Sequence, residues 1–465
     1  MSKPDKTVKR TRDLYVKAEK IYPRQVRGLF ARLRVLSVWM LLGLYYVGPW
    51  ITWEGRQAIL LDLPARQFHI FGITFWPQDF IYLAVLLIIA AVALFFFTAL
   101  AGRVWCGFAC PQTVWTETFI WIERFVEGDR NQRMKLDKAP WSFNKVSTKA
   151  TKHFLWLSFA LFTGYTFVGF FSPIRELTDN LILFNLGPWE AFWIGLYSLA
   201  TYGNAGFLRE QICQYMCPYA RFQSAMFDKD TLIISYDTQR GESRGHRKRT
   251  DTEYKIKGLG DCIDCKQCVQ VCPTGIDIRD GLQSECIACA LCIDVCDDVM
   301  EKMDYEKGLI RYSTENAMEG KETKVLRPRT FIYGGLLLAL IIGFFASIGT
   351  RTPLELDVIR DRNRLYVETS EGLVENVYRI KIGNMAQEPY TYNISVDGLP
   401  DMSIAGPTQI HVKPGEVKAI ALRVRVDPGD LTKTANTIFF NAVSVEAPDI
   451  RIETEARFIG PALGR

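Results

Sequence analysis

The chain has 465 residues, of which 48% are hydrophobic and 23% charged, with a net charge of +5. Those averages exclude a collagenous or disordered chain. The apolar residues, however, are bunched into long uncharged runs, which argues against a purely soluble enzyme. Twelve Cys are too few for a disulfide scaffold, and their spacing carries more information than their number.

In chain order, runs free of Asp, Glu, Lys and Arg occupy 35–53, 80–102, 154–174, 191–208 and 330–350. Each meets or approaches the roughly 20 residues that cross a bilayer core as a helix. The basic section before the first run extends to Arg34. The run behind it is longer than a signal-peptide core and has no Ala-x-Ala site after it, so it reads as a retained span. Segments 1–34, 103–152 and 209–329 hold 11, 9 and 19 Lys+Arg, against 2 in 54–79 and 1 in 175–190. The positive-inside rule places the three basic segments on the cytoplasmic side of a bacterial inner (plasma) membrane. The tail 351–465 then lies in the periplasm, and every Cys lies on the cytoplasmic side or at its edge.

Two short motifs follow the second and fourth runs: Cys106-x-x-x-Cys110-Pro111 and Cys213-x-x-x-Cys217-Pro218. Arg103 and Arg209 precede them, and the pattern of two spans and then a Cys pair repeats, which reads as an internal duplication. On a continuing helix, positions i and i+4 share a face, so each pair could present two sulfurs to one metal, and the Pro would end or kink that helix. Four such thiols meeting across a pseudo-two-fold axis suit a copper ion, a further iron–sulfur cluster or a dithiol/disulfide couple. A structural reading, four small apolar residues at helix ends, is the bland alternative.

A basic stretch around His246 reads as a solvated linker. Beyond it, Cys262-x-x-Cys265-x-x-Cys268-x-x-x-Cys272-Pro273 precedes Cys286-x-x-Cys289-x-x-Cys292-x-x-x-Cys296. Two such runs are the signature of a bacterial two-cluster ferredoxin, in which the fourth Cys of each run serves the other cluster. Cys262, Cys265, Cys268 and Cys296 are therefore expected to hold one 4Fe–4S cluster. Cys286, Cys289, Cys292 and Cys272 are expected to hold the second. Asp297 stands where Pro would follow Cys296. With Asp261, Asp264, Asp294 and Asp298 nearby, the charge is expected to lower the cluster potentials.

The tail alternates apolar and polar residues at 377–382, 390–396, 417–426, 437–444 and 450–458, separated by turn signals such as Asp397-Gly398 and Lys413-Pro414-Gly415. About seven strands are expected, in an immunoglobulin-like sandwich. Met385, Met402 and His411 share no linking spacing, so a docking or stabilising role is the expectation there. The four His, at 69, 153, 246 and 411, form no set of pairs for a haem relay. The expected organisation is thus a basic N-terminus (1–34), a four-span membrane domain (35–236) and a basic linker (237–257). A two-cluster ferredoxin-like α+β domain (258–329), a fifth span (330–350) and the all-β tail (351–465) follow.

This combination resembles the FixG/CcoG/RdxA family of cytochrome cbb3 oxidase accessory proteins over nearly the whole chain. The resemblance implies a role in assembling the copper-containing cbb3-type oxidase, and the family's members look like cupric reductases that supply Cu(I). By position, its cluster ligands fall on the eight Cys from Cys262 to Cys296 and its membrane motifs on Cys106, Cys110, Cys213 and Cys217, the expected catalytic set. The expected partners are the lipid bilayer, a cytoplasmic electron donor, copper ion, oxidase assembly factors and a further copy of the chain, with no nucleic acid. Two rival readings are a quinol-linked subunit feeding a periplasmic reductase and a non-enzymatic assembly scaffold.

Overall fold

The computed structural model describes residues 20–251, 253–361 and 364–461. Most of the basic N-terminal segment, residues 1–19, and the last four residues of the tail lie outside the described residues. The chain forms two compact units. One comprises Met1–Gly43, Leu94–Thr163 and Gly195–Phe331; the other comprises Leu44–Ala93, Gly164–Ile194 and Ile332–Arg465. The five points at which the chain passes from one unit to the other all fall inside helices: Leu29–Val47, Phe80–Ala101, Phe143–Val168, Pro188–Gly203 and Pro328–Gly349.

Among the described residues, three helical stretches are long and apolar enough to cross a membrane: Leu29–Trp50, Phe80–Ala101 and Pro328–Gly349. The other two expected spans fall short for identifiable reasons. Helix Phe143–Val168 carries Lys145, Lys149 and Lys152 in its first turns, which leaves only 154–168 uncharged within it. Pro188–Gly203 has 16 residues and then loosens into a π-helical turn, Asn204–Leu208.

The first unit is organised around the Cys-rich module. Strand Ile233–Tyr236 pairs antiparallel with Ile310–Ser313, so the module's sheet draws on residues that the sequence reading places in the membrane domain. Helix Leu291–Lys302 carries Asp294, whose carboxylate accepts from the backbone N–H groups of Phe30 and Ala31 at 3.2 and 2.7 Å. These are orphan donors in the first turn of helix Leu29–Val47, and a capping carboxylate there contributes about 0.5–2 kcal/mol. Gly28 permits the approach, since a Cβ there would lie 2.2 Å from Asp294 Cγ. The linker is not merely solvated. Arg247 stacks over Tyr254 at 4.3 Å and donates to Tyr305 and to the Gly260 carbonyl, and Arg240 pairs with Asp261 at 2.6 Å.

In the second unit, the tail forms two packed antiparallel sheets. One has the strand order 403–405, 417–426, 374–384, 354–360, with 367–368 paired at its side; the other runs 409–412, 390–397, 435–444, 451–459. Inward-facing Tyr378, Tyr392, Phe440 and Phe458 are fully buried between them, and the Tyr378 hydroxyl donates to the Arg457 carbonyl at 2.9 Å. A three-stranded meander, Ile59–Asp62, Gln67–Ile70 and Ile73–Phe75, fills a loop in which the sequence reading placed no strand. It is held to the sandwich by Trp76, which occupies the space a Cβ on Gly415 would need, 1.7 Å from its Cη2. Arg351, paired with buried Asp79 and donating to the Thr74 carbonyl, adds a second tie.

Candidate metal centres

The eight Cys of the module line two cavities. Cys262, Cys265, Cys268 and Cys296 line one, together with Tyr236 and Arg279. Cys272, Cys286, Cys289 and Cys292 line the other, which Cys268 also touches. The grouping follows from the backbone. Each run wraps a loop whose residues adopt the left-handed region (Asp264, Lys266; Ala288, Ala290), then enters a short helix. That helix carries its fourth Cys toward the other run's loop.

Among the described residues, no three His, Cys, Asp or Glu side chains converge as the ligands of one metal ion would. A zinc site needs four ligands about one atom, whereas a cubane takes each thiolate at a different iron. Four thiols lining each of two cavities fit one 4Fe–4S cluster apiece. Burial pushes the Cys268 and Cys286 thiols up to about 12 and raises Cys265, Cys289, Cys292 and Cys296 as well. Without metal these groups are thiols, so loading iron releases their protons.

The acidic residues near the runs do not act as a free negative field. Asp261 pairs with Arg240, Asp264 with Arg279 at 2.7 Å and Asp298 with Lys302; Asp294 caps a helix and Asp297 accepts from Gly308 N. Arg279, its side chain 4% exposed, also reaches to 4.0 Å of Cys262 Sγ. Arg279 is held by Asp277 as well, at 2.6 Å, so one guanidinium serves two carboxylates beside the first cavity. No motif marks Arg279 in the sequence; it is recognisable only once the fold brings it to Cys262.

The segments that carry the two membrane-edge Cys pairs are joined by a reciprocal clasp. Residues after the second Cys-Pro bond hold those before the first: Arg103 donates to the Ala220 carbonyl at 2.9 Å, Gln223 to the Gly102 carbonyl at 3.3 Å, and Tyr219 bonds Thr98. Residues after the first Cys-Pro bond hold those before the second. Gln112 donates to the Asn204 and Arg209 carbonyls at 3.0 and 3.2 Å, and Glu123 pairs with Arg209 at 2.9 Å. The contacts are thus reciprocal between the two repeats. The helices differ from expectation, however. Pro111 and Pro218 open new helices at N1, with Cys110 and Cys217 as N-cap residues, rather than ending one continuous helix. Pro tolerates N1 because no intrahelical partner awaits its missing N–H.

Burial pushes Cys106 up to about 12 and Cys213 to about 11; Cys110 and Cys217 raise both further, and Cys213 also raises Cys106. The four are thus electrostatic neighbours. Cys110 is raised by burial as well, against the opposing pull of the Thr113 and Gln112 N–H groups at its helix N-terminus.

The first pair lies against the second cluster cavity. Cys106 packs on the apolar group of Val271, Ile287, Cys289, Leu291 and Val295. A Cβ on Gly107 would lie 2.7 Å from the Ile287 carbonyl oxygen and 2.9 Å from that of Ala288, in the loop between Cys286 and Cys289. Arg103 extends the contact, donating to the Ser284 and Cys286 carbonyls.

Comparison with known proteins identifies the domains that carry these Cys. Family models for a 4Fe–4S dicluster domain, a 4Fe–4S binding domain and the Ig-like fold at the C-terminus of FixG match residues 208–315, 83–127 and 344–461. The nitrogen fixation protein FixG of Rhizobium meliloti (strain 1021) is 39% identical over 463 residues, covering 90% of this chain and 88% of the relative. This chain belongs to the FixG family. RdxB and RdxA of Cereibacter sphaeroides are 43% and 40% identical, over 87% and 83% of this chain and 87% and 84% of theirs. A crystal structure of a FixG-related protein from Vibrio parahaemolyticus matches 23% of this chain and 97% of its own, at 38% identity and a TM-score of 0.22. As a FixG-family member with 4Fe–4S domains and membrane-length helices, the chain is a membrane iron–sulfur electron-transfer protein.

Proposed function

We propose that this protein reduces Cu(II) to Cu(I) at the four membrane-edge thiols, in the service of cbb3-type oxidase assembly. The observation that carries the reading is the seating of the Cys106 pair on the loop between Cys286 and Cys289, which brings soft-metal ligands next to a cluster cradle. In the balanced step, Cu(II) gains one electron and a one-electron donor on the cytoplasmic side loses it. When bound, the two 4Fe–4S clusters supply storage and release of single electrons.

The chain's own residues do the rest. The eight module Cys hold the clusters, Arg279, fixed by Asp264 and Asp277, borders Cys262, and Arg103 and Gly107 keep the Cys106 pair in register with the loop. Cys106, Cys110, Cys213 and Cys217 close on the copper substrate from positions that do not converge on one point without it, and their thiolates favour Cu(I) over Cu(II). Protons displaced from these raised thiols leave as the metal enters. Five spans, with the Cys-rich unit cytoplasmic and the sandwich periplasmic, complete the proposal; the basic loops and the five helix-borne passages between units support it.

A cluster-ligand variant separates this reading from a scaffold. In Cys292→Ala, the iron content of the purified protein is expected to fall by about half and Cu(I) formation to drop toward the no-protein rate, since each cluster needs four thiolates. Normal oxidase assembly by a folded Cys292→Ala protein would favour the scaffold instead.

A further inference from the structure

A cavity of about 390 Å³ opens beside the first turns of helix Leu29–Val47, lined by Arg24, Arg34, Glu117, Trp121, Arg124 and Phe125 among others. Its charge is one-sided, three guanidiniums against one carboxylate. Glu117 is already committed. Its Oε2 holds Arg34 Nη2 at 3.0 Å, while its Oε1 accepts from Trp121 Nε1 at 2.9 Å and faces Arg124 at 3.6 Å. The Arg34 side chain is only 4% exposed, yet its Nε and Nη1 are buried without a hydrogen-bond partner among the described residues, as is Nε of Arg124. Burial lowers the Arg124 pKa, and Arg133 and Arg34 press it down further while Glu117 and Asp129 oppose them. Buried N–H groups left without a partner are costly, and more so when charged. A bound anion would remove that cost through charge-assisted bonds.

The rim is apolar. Phe125 is 86% exposed and Trp39 67%, and Trp39 meets Trp121 at 6.4 Å between ring centroids. Leu36 and Met40 continue the exposed stripe along the membrane-length helix. Unpaired guanidinium N–H groups at the base and an apolar stripe leading away from them match a phosphate headgroup with acyl chains alongside. The surplus of positive charge selects a net-anionic one.

We propose that this cavity binds an anionic phospholipid by its phosphate. Leu291, which opens the Cys-bearing helix Leu291–Lys302, lines the same cavity. The lipid therefore clamps that helix to Leu29–Val47 and Pro111–Glu127.

The test uses full-length, cluster-loaded protein, delipidated in detergent and followed by native mass spectrometry and thermal melting. The probes are dioleoyl phosphatidylglycerol, dioleoyl phosphatidylcholine and inorganic phosphate. Phosphatidylglycerol is expected to bind and raise the melting temperature, and phosphatidylcholine is not. Arg34→Gln would strand buried Glu117 and risks misfolding, so Arg124→Gln carries the test. That variant is expected to weaken phosphatidylglycerol binding by about tenfold with iron content unchanged. Equal binding of phosphatidylcholine, unchanged affinity in Arg124→Gln, or equal stabilisation by inorganic phosphate would overturn the proposal.

Discussion

Replacing Cys106, Cys110, Cys213 and Cys217 together with Ser is expected to bring Cu(I) formation down to the no-protein rate while the iron content of the module stays unchanged. The substitution nearly preserves volume at four positions held mainly by backbone and neighbouring side chains. The clasp that joins the segments carrying them runs through Arg103, Gln112, Glu123, Arg209 and Gln223, none of which is altered. What is lost is the soft donor. A Ser hydroxyl does not ionise at neutral pH and is a poor ligand for Cu(I). Iron analysis and a Cu(I)-specific chelator assay on the same preparation read the two quantities separately. Full copper reduction by the quadruple variant would remove these thiols from the reaction.

The second large effect is expected from Gly107→Val, which leaves every Cys in place. The atoms opposing a Cβ at Gly107 are the Ile287 and Ala288 carbonyl oxygens, at 2.7 and 2.9 Å. They are backbone atoms of a loop pinned between Cys286 and Cys289 and cannot swing aside as a flexible side chain would. Overpacking of this kind costs about 1–3 kcal/mol, and relief requires the short helix Val104–Phe108 to lift from the loop. Cu(I) formation is expected to slow by about tenfold or more, as reactions do when reacting groups are misplaced by an ångström. Both clusters should be retained and the melting temperature lowered. Gly43, whose Cβ would meet nothing within 4 Å, supplies the control: Gly43→Val should leave the rate unchanged. Equal rates in Gly107→Val and wild type would show that the contact with the loop plays no part in electron delivery.

The sandwich was legible because its strands alternate strictly. Runs expected at 390–396 and 437–444 correspond to Tyr390–Asp397 and Ala435–Ser444, with Tyr392 and Phe440 inward. The meander at 59–75 was not, because its strands are three or four residues long and too short for alternation to stand out. Of the five expected spans, three are matched among the described residues by helices long and apolar enough to cross a membrane. Hydropathy along the chain does not register that Phe143–Val168 spends its first turns on Lys145, Lys149 and Lys152, which form ion pairs or bond backbone carbonyls. At the site, Cys spacing revealed the ligating residue types, since sulfur chemistry depends on short local intervals. Arg279 and Gly107 were invisible for the opposite reason. Each matters through a partner distant in sequence, Asp264 and Cys262 for the one and Ile287 for the other. The significance of Arg103 and Arg209 was half visible, as a basic residue before each pair, but their role in crossing the two halves needed the fold.

The most direct measurement follows the electron itself. Protein reduced anaerobically with dithionite, then freed of excess reductant, is mixed with Cu(II) and a Cu(I)-specific chelator while the iron–sulfur EPR signal and the chelate absorbance are recorded together, beside a no-protein control. The expected result is loss of the reduced-cluster signal at the rate Cu(I) appears, one Cu(I) for each electron withdrawn. Clusters that stay reduced in the presence of unreduced copper would contradict copper as the substrate.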